Sequence, residues 1–126
     1  MAENATAERT MRCPPFAAPS VVALAVIDGG DPAAIHRLSQ RETVVGRGPE
    51  ADFIVDDEEI SKQHFRLQLD GGMCSILDLG SLNGTVVNGR RLRERVSQRL
   101  RHLDEIQAGD TRFFVLAGRF RLQQRG

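Results

Sequence analysis

Apolar residues in this chain come in short runs of strand length, each closed by turn-forming residues. From Val21 onward the runs fall at 21–27, 35–38, 43–45, 53–55, 64–69, 73–77, 85–87, 91–93, 105–107, 112–116 and 120–122. Phe65-Arg66-Leu67-Gln68-Leu69 alternates apolar and polar positions with a period of two, the mark of a half-buried strand. Asp70-Gly71-Gly72 follows it as a tight connection, which predicts a hairpin to the run at Met73. Phe113 and Phe114 are adjacent in one run, so one should enter the core while the other is partly covered. Only residues 93–103 permit a helix, and their polar content fits a loop or edge segment equally well. The pattern predicts an all-β chain of eleven short strands, packed as a β-sandwich.

At 126 residues the chain is one domain, long enough to bury about two-thirds of its unfolded surface without disulfides. Residues 1–20 hold Pro14, Pro15 and Pro19 among scattered charges and no hydrophobic period, which predicts a flexible tail, and Met11 offers an alternative start. The domain is then expected at 21–123, with 124–126 as a short C-terminal end. Cys13 and Cys74 are too few for a disulfide framework, so a reducing, cytoplasmic setting fits. The longest apolar run stops at Asp28, far short of the roughly 20 residues that cross a membrane. The N-terminus also lacks the basic start of a secretory signal, and the chain reads as soluble.

Seventeen basic residues balance seventeen acidic ones, so no global field draws in nucleic acid. Aromatic residues for base stacking are also scarce, at 5% of the chain. An anion site, if present, must be local. His36, His64 and His102 lie far apart without ligand-type spacing, so neither a metal nor another cofactor is expected.

Four polar clusters mark the turns: Gly46-Arg47, Ser61-Lys62-Gln63-His64, Gly80-Ser81-Leu82-Asn83-Gly84-Thr85, and Asn88-Gly89. Arg47 follows a strand end and can present a planar fork that matches phosphate oxygens. Ser61 offers a hydroxyl and Lys62 an ammonium beside it. The Asn83 amide can both donate and accept along an extended peptide. Each cluster alone has an ordinary explanation: a surface arginine after a strand, or a plain turn at Leu82-Asn83-Gly84. Taken in order, G-R, S-x-x-H, N-G-T and N-G resemble the forkhead-associated (FHA) domain, over roughly residues 21–122, and suggest a bacterial single-domain member.

The resemblance implies two mainly antiparallel sheets in the FHA/SMAD-like arrangement, with binding loops at one end. It implies a phosphothreonine-binding adaptor, not an enzyme, acting downstream of a Ser/Thr kinase. Arg47, Ser61, Lys62, Leu82 and Asn83 are the residues expected to face the phosphopeptide. Gly46, His64, Asp78, Ser81, Gly84, Thr85, Asn88 and Gly89 are expected to shape the loops. A rival hydrolase would recruit Ser61, His64 and Asp78 as a triad, yet no G-x-S-x-G elbow is present.

Two departures from the family pattern stand out. Many members carry threonine or serine where this chain has Leu82, which can pack on a ligand methyl but cannot bind phosphate. Asp56-Asp57-Glu58-Glu59 precedes Ser61, and at about 10 Å each acid opposes a unit of phosphate charge by only ~0.4 kcal/mol before screening. Both departures favour the alternative function, a phosphate-independent scaffold in a secretion or regulatory complex. The tail is most simply inert, and Thr6 or Thr10 offers the other reading, a ligand for the chain's own site. Some relatives bind their own phosphorylated N-terminal threonine, and a tethered ligand gains from high effective concentration.

Overall fold

The computed structural model describes residues 21–28 and 35–118. Its strands are β1 (Val21–Asp28), β2 (Ile35–Arg37), β3 (Glu42–Gly46), β4 (Phe53–Ile54), β5 (Phe65–Asp70), β6 (Met73–Asp78), β7 (Thr85–Val87), β8 (Arg90–Arg91), β9 (Gln98–Leu100), β10 (Glu105–Ala108) and β11 (Thr111–Gly118). They form a six-stranded sheet in the order β2-β1-β11-β10-β7-β8 and a five-stranded sheet in the order β4-β3-β5-β6-β9. Among the described residues only the β3–β4 pair is parallel. The described chain is thus the all-β sandwich that the hydrophobic pattern predicted.

Alternation explains which side of each strand is covered. In β11, Thr111, Phe113 and Val115 are buried while Arg112 and Phe114 on the opposite face are only partly covered. The inward residues of the two sheets meet in one core. Phe113 and Phe65 pack edge to face across it with ring centroids 5.8 Å apart, joined by Leu24, Val45, Ile76 and Ile106. Burying a side chain of this size contributes about 1.5–3 kcal/mol.

The two short hairpins follow their turn residues. Asp70 pairs with Met73 across Gly71-Gly72. Val87 pairs with Arg90 across Asn88 (φ 51) and Gly89 (φ 82), both left-handed as a type I′ turn requires.

One stretch with an open expectation resolves as an edge strand. Residues 98–100, in the stretch read as helix, loop or edge, form β9 along β6. The reason is that only Leu100 of the three is buried, so β9 draws its conformation from its partner and not from its own alternation. The run at 120–122, and the tail and C-terminal boundaries, lie outside the described residues. Among the described residues no helix is long and apolar enough to cross a membrane.

Candidate functional site

Three connections gather at one end of the sandwich: β3–β4, β4–β5 and β6–β7. The first two run alongside each other. Arg47 N–H donates to the Ser61 carbonyl at 3.0 Å, and Gly48 N–H donates to the Lys62 carbonyl at 3.1 Å. This pairing brings Arg47 beside Ser61 and Lys62, fourteen and fifteen residues later in the chain. Gly46 makes the approach feasible, since a Cβ there would fall 2.1 Å from the Lys62 carbonyl oxygen. The close contact is therefore with the neighbouring loop of the same chain.

The guanidinium of Arg47 is exposed but anchored at one corner, where Nε donates to the Ile60 carbonyl at 3.0 Å. No other bond is made by its side chain among the described residues, so both terminal nitrogens remain free to grip an anion. Lys62 is likewise exposed, with its ammonium unpaired among the described residues. The Ser61 Oγ accepts a hydrogen bond from Leu82 N–H at 3.0 Å, which leaves its own proton available to donate. Leu82 itself projects into solvent at 85% exposure. These side chains are thus carried on neighbouring backbone segments that hydrogen-bond to each other.

Asn83 is turned toward the β4–β5 loop. Its Nδ2 donates to the Glu59 carbonyl at 2.9 Å and to Glu59 Oε1 at 3.2 Å. The Oδ1 has no partner among the described residues, so the acceptor half of the amide is the half left free. Asn83 and Glu59 also edge a cavity of about 220 Å³ that runs past Val86 and Gln107 to Asp110.

Behind the loops, His64 is fully buried and its tautomer follows from its partners. Ser61 N–H donates to Nδ1 at 3.0 Å, so Nε2 must carry the proton that it shares with the Gly84 carbonyl at 2.8 Å. Both ring nitrogens are thereby committed to backbone groups. Neither is left to act as a base on Ser61 Oγ, and Asp78 is bonded elsewhere, which removes the geometry a Ser61-His64-Asp78 triad needs.

Asp78 instead organises the β6–β7 loop. Its Oδ2 accepts from Gly80 and Ser81 N–H at 3.0 and 3.1 Å. Its Oδ1 accepts from the Ser81 hydroxyl at 2.6 Å and the Thr85 hydroxyl at 2.7 Å. Ser81 Oγ in turn accepts from Gly84 N–H at 2.9 Å. Burial alone would raise the Asp78 carboxyl, but these hydrogen bonds outweigh it and hold the group below its ordinary 3.8. Asn88-Gly89 lies apart from this cluster, at the β7–β8 turn, where Asn88 Nδ2 donates to Asp104 at 2.9 Å.

The acidic run is not uniform. Asp57 is buried, and its Oδ2 accepts from the Thr111 hydroxyl at 2.6 Å and from Asp110 N–H at 2.8 Å. Its Oδ1 accepts from Glu59 N–H at 2.8 Å. Desolvation works to raise this carboxyl too, and the Thr111, Glu59 and Asp110 bonds more than offset it, leaving it lowered. Asp57 thus ties the β4–β5 loop to the β10–β11 turn, a role that its position in a charge run concealed. Asp56, Glu58 and Glu59 remain exposed.

The model of the FHA domain matches residues 43–109, which includes every loop of this end. The chain is 43% identical to the oxoglutarate dehydrogenase inhibitor of Corynebacterium efficiens, over 79% of this chain and 69% of that protein. It is 41% identical to the glycogen accumulation regulator GarA of Mycolicibacterium smegmatis, over 79% of this chain and 62% of the relative. Among solved structures, it superposes at a TM-score of 0.69 and 29% identity on an FHA domain studied for phosphothreonine-dependent interactions, covering 76% of this chain and 95% of that one. The chain belongs to the FHA domain family.

Proposed function

We propose that the protein is a phosphothreonine-binding adaptor, with Arg47, Ser61 and Lys62 on the phosphate and Asn83 on the ligand main chain. The observation that carries this is Arg47: its Nε is pinned to the Ile60 carbonyl while its terminal nitrogens stay unpaired among the described residues, on a backbone bonded to that of Ser61. A donor set that is already positioned loses little freedom on binding, which favours affinity. Charge-assisted hydrogen bonds of this kind contribute about 1.5–3 kcal/mol each. Leu82 offers an exposed apolar surface for the threonine methyl. The protein binds and does not catalyse, in a cytoplasmic setting that supplies a Ser/Thr kinase. Its similarity to an inhibitor of oxoglutarate dehydrogenase and to a regulator of glycogen accumulation supports a regulatory role toward a metabolic enzyme. Replacing Arg47 by alanine should abolish binding to a phosphothreonine peptide library, and retained affinity would remove this site from consideration.

A phosphate-independent scaffold is the second reading. It is favoured by Leu82 at 85% exposure and by the Asn83 amide protons already engaged by Glu59. Phosphatase treatment of a copurified partner separates the two, since only the phosphate-dependent complex falls apart. The tail threonines Thr6 and Thr10 are proposed as an intramolecular ligand. Absence of phosphate on both after kinase treatment, read by mass spectrometry, would sink that proposal.

A further inference from the structure

The strands β8 and β9 end their respective sheets and are joined by residues 92–97, so together they form one flank of the sandwich. Residues 90–101 hold Arg90, Arg91, Arg93, Arg95, Arg99 and Arg101, all exposed, against Glu94, and Asp104 borders them with its carboxylate taken up by Arg101 N–H and the Asn88 amide. Of these guanidiniums only that of Arg95 bonds to protein among the described residues, donating to the Leu79 carbonyl at 3.4 Å. A chain of zero net charge has therefore gathered much of its positive charge on one side.

Charge on edge strands commonly serves to block edge-to-edge pairing. This fold does not use that device at its other flank. There β2 and β4 expose Ile35 at 65% and Ile54 at 54%, with Arg37 as the sole arginine on either strand. The arginines also continue through residues 93 and 95, which lie outside any strand. Edge protection leaves this concentration unexplained.

The flank is continuous with the loop end. A Cβ on Gly84 would lie 2.7 Å from the Cζ of Arg91, so that guanidinium backs the loop carrying Asn83. Arg95 reaches the start of the same loop at Leu79. Across the sheet, Val86 has Arg91 on one side and Gln107 on the other. Gln107 opens on the cavity edged by Glu59 and Asp110, which repels acidic ligands. The surface is thus polarised on the two sides of β7.

We propose that the β8/β9 flank docks an acidic segment of the same phosphoprotein whose phosphothreonine binds at Arg47. This rests on the phosphothreonine reading of the loop end. Guanidinium forks match carboxylates in two-pronged fashion, and exposed charge of this kind sets specificity and association rate.

The test uses fluorescence anisotropy with four probes: a short phosphothreonine peptide, the same peptide carrying a glutamate tract at its N-terminal end, the same with the tract at its C-terminal end, and the tract without phosphate. At low salt, extension at one end should tighten binding about tenfold. The gain should vanish in the R93Q/R99Q/R101Q variant, which should hold the short peptide as well as the unaltered protein does. A gain at neither end, or one that survives in the variant, overturns the proposal. Failure of the short peptide to bind would count against the phosphothreonine reading instead. The flank is then judged by NMR: shifts of the 90–101 amides on adding the unphosphorylated tract support it, and no shift refutes it. Tighter binding of duplex DNA or anionic vesicles than of the tract also refutes it.

Discussion

The Nε2 of His64 donates to the Gly84 carbonyl at 2.8 Å, and this bond links the β4–β5 loop to the β6–β7 loop inside the protein. Since Nδ1 of the same ring accepts from Ser61 N–H, one side chain satisfies backbone groups of both loops that carry the proposed ligand contacts. Replacing His64 by alanine strands two polar backbone groups and leaves a cavity. We expect a loss of about 3 kcal/mol or more in urea-denaturation stability, with the loops affected first.

Gly46→Ala should fail for a steric reason. The added methyl falls 2.1 Å from the Lys62 carbonyl oxygen, and that neighbour is backbone, which cannot swing aside. Separation of the β3–β4 and β4–β5 connections would cost about 1–3 kcal/mol and displace Arg47 from Ser61. The same urea titration, together with the NMR shifts of the Arg47 and Lys62 amides, measures both effects.

The Asp57–Thr111 bond should behave as a coupled pair. It joins residues 54 apart in sequence at 2.6 Å, in a buried setting. A double-mutant cycle with Asp57→Asn and Thr111→Val should return a coupling of about 1–3 kcal/mol. Additive single effects would show that the two do not act together.

Stability should fall on the acid side. Asp57 and Asp78 both titrate lower when folded than the ordinary 3.8, so folding is favoured by their ionised forms. Their contribution is complete above roughly pH 5 and fades as pH falls through the unfolded value and then the lower folded ones. Urea midpoints measured between about pH 6 and pH 2 should show this loss, and Asp57→Asn should flatten part of the slope.

The outline of the sandwich was legible because it depends on local alternation. Phe65 to Leu69 and the Asn88-Gly89 turn announce themselves by residues within a few positions of each other. β9 did not, since Gln98 and Arg99 are exposed and its pairing with Ser75 and Ile76 comes from across the sheet. The loop end shows the same division. Arg47, Ser61 and Asn83 stand out as types suited to phosphate and peptide, whereas Asp57 looked like one more acid in a run. Its partners Asp110 and Thr111 lie more than fifty residues away, and the sequence has no local sign of them. Glu59 was hidden similarly, as its bond to Asn83 spans 24 residues.

Leu82→Ala offers a narrower check on the methyl contact. If the exposed Leu82 side chain covers the threonine methyl, the variant should narrow the preference for phosphothreonine over phosphoserine while keeping phosphate dependence. Loss of one such apolar contact is worth about 1 kcal/mol, or roughly fivefold.

Isothermal titration with matched peptides that differ only in carrying phosphothreonine, phosphoserine or unmodified threonine addresses the central claim most directly. Phosphothreonine should bind most tightly, phosphoserine more weakly, and threonine not measurably. Equal affinity for the phosphorylated and unmodified threonine peptides would contradict a phosphate site at Arg47, Ser61 and Lys62.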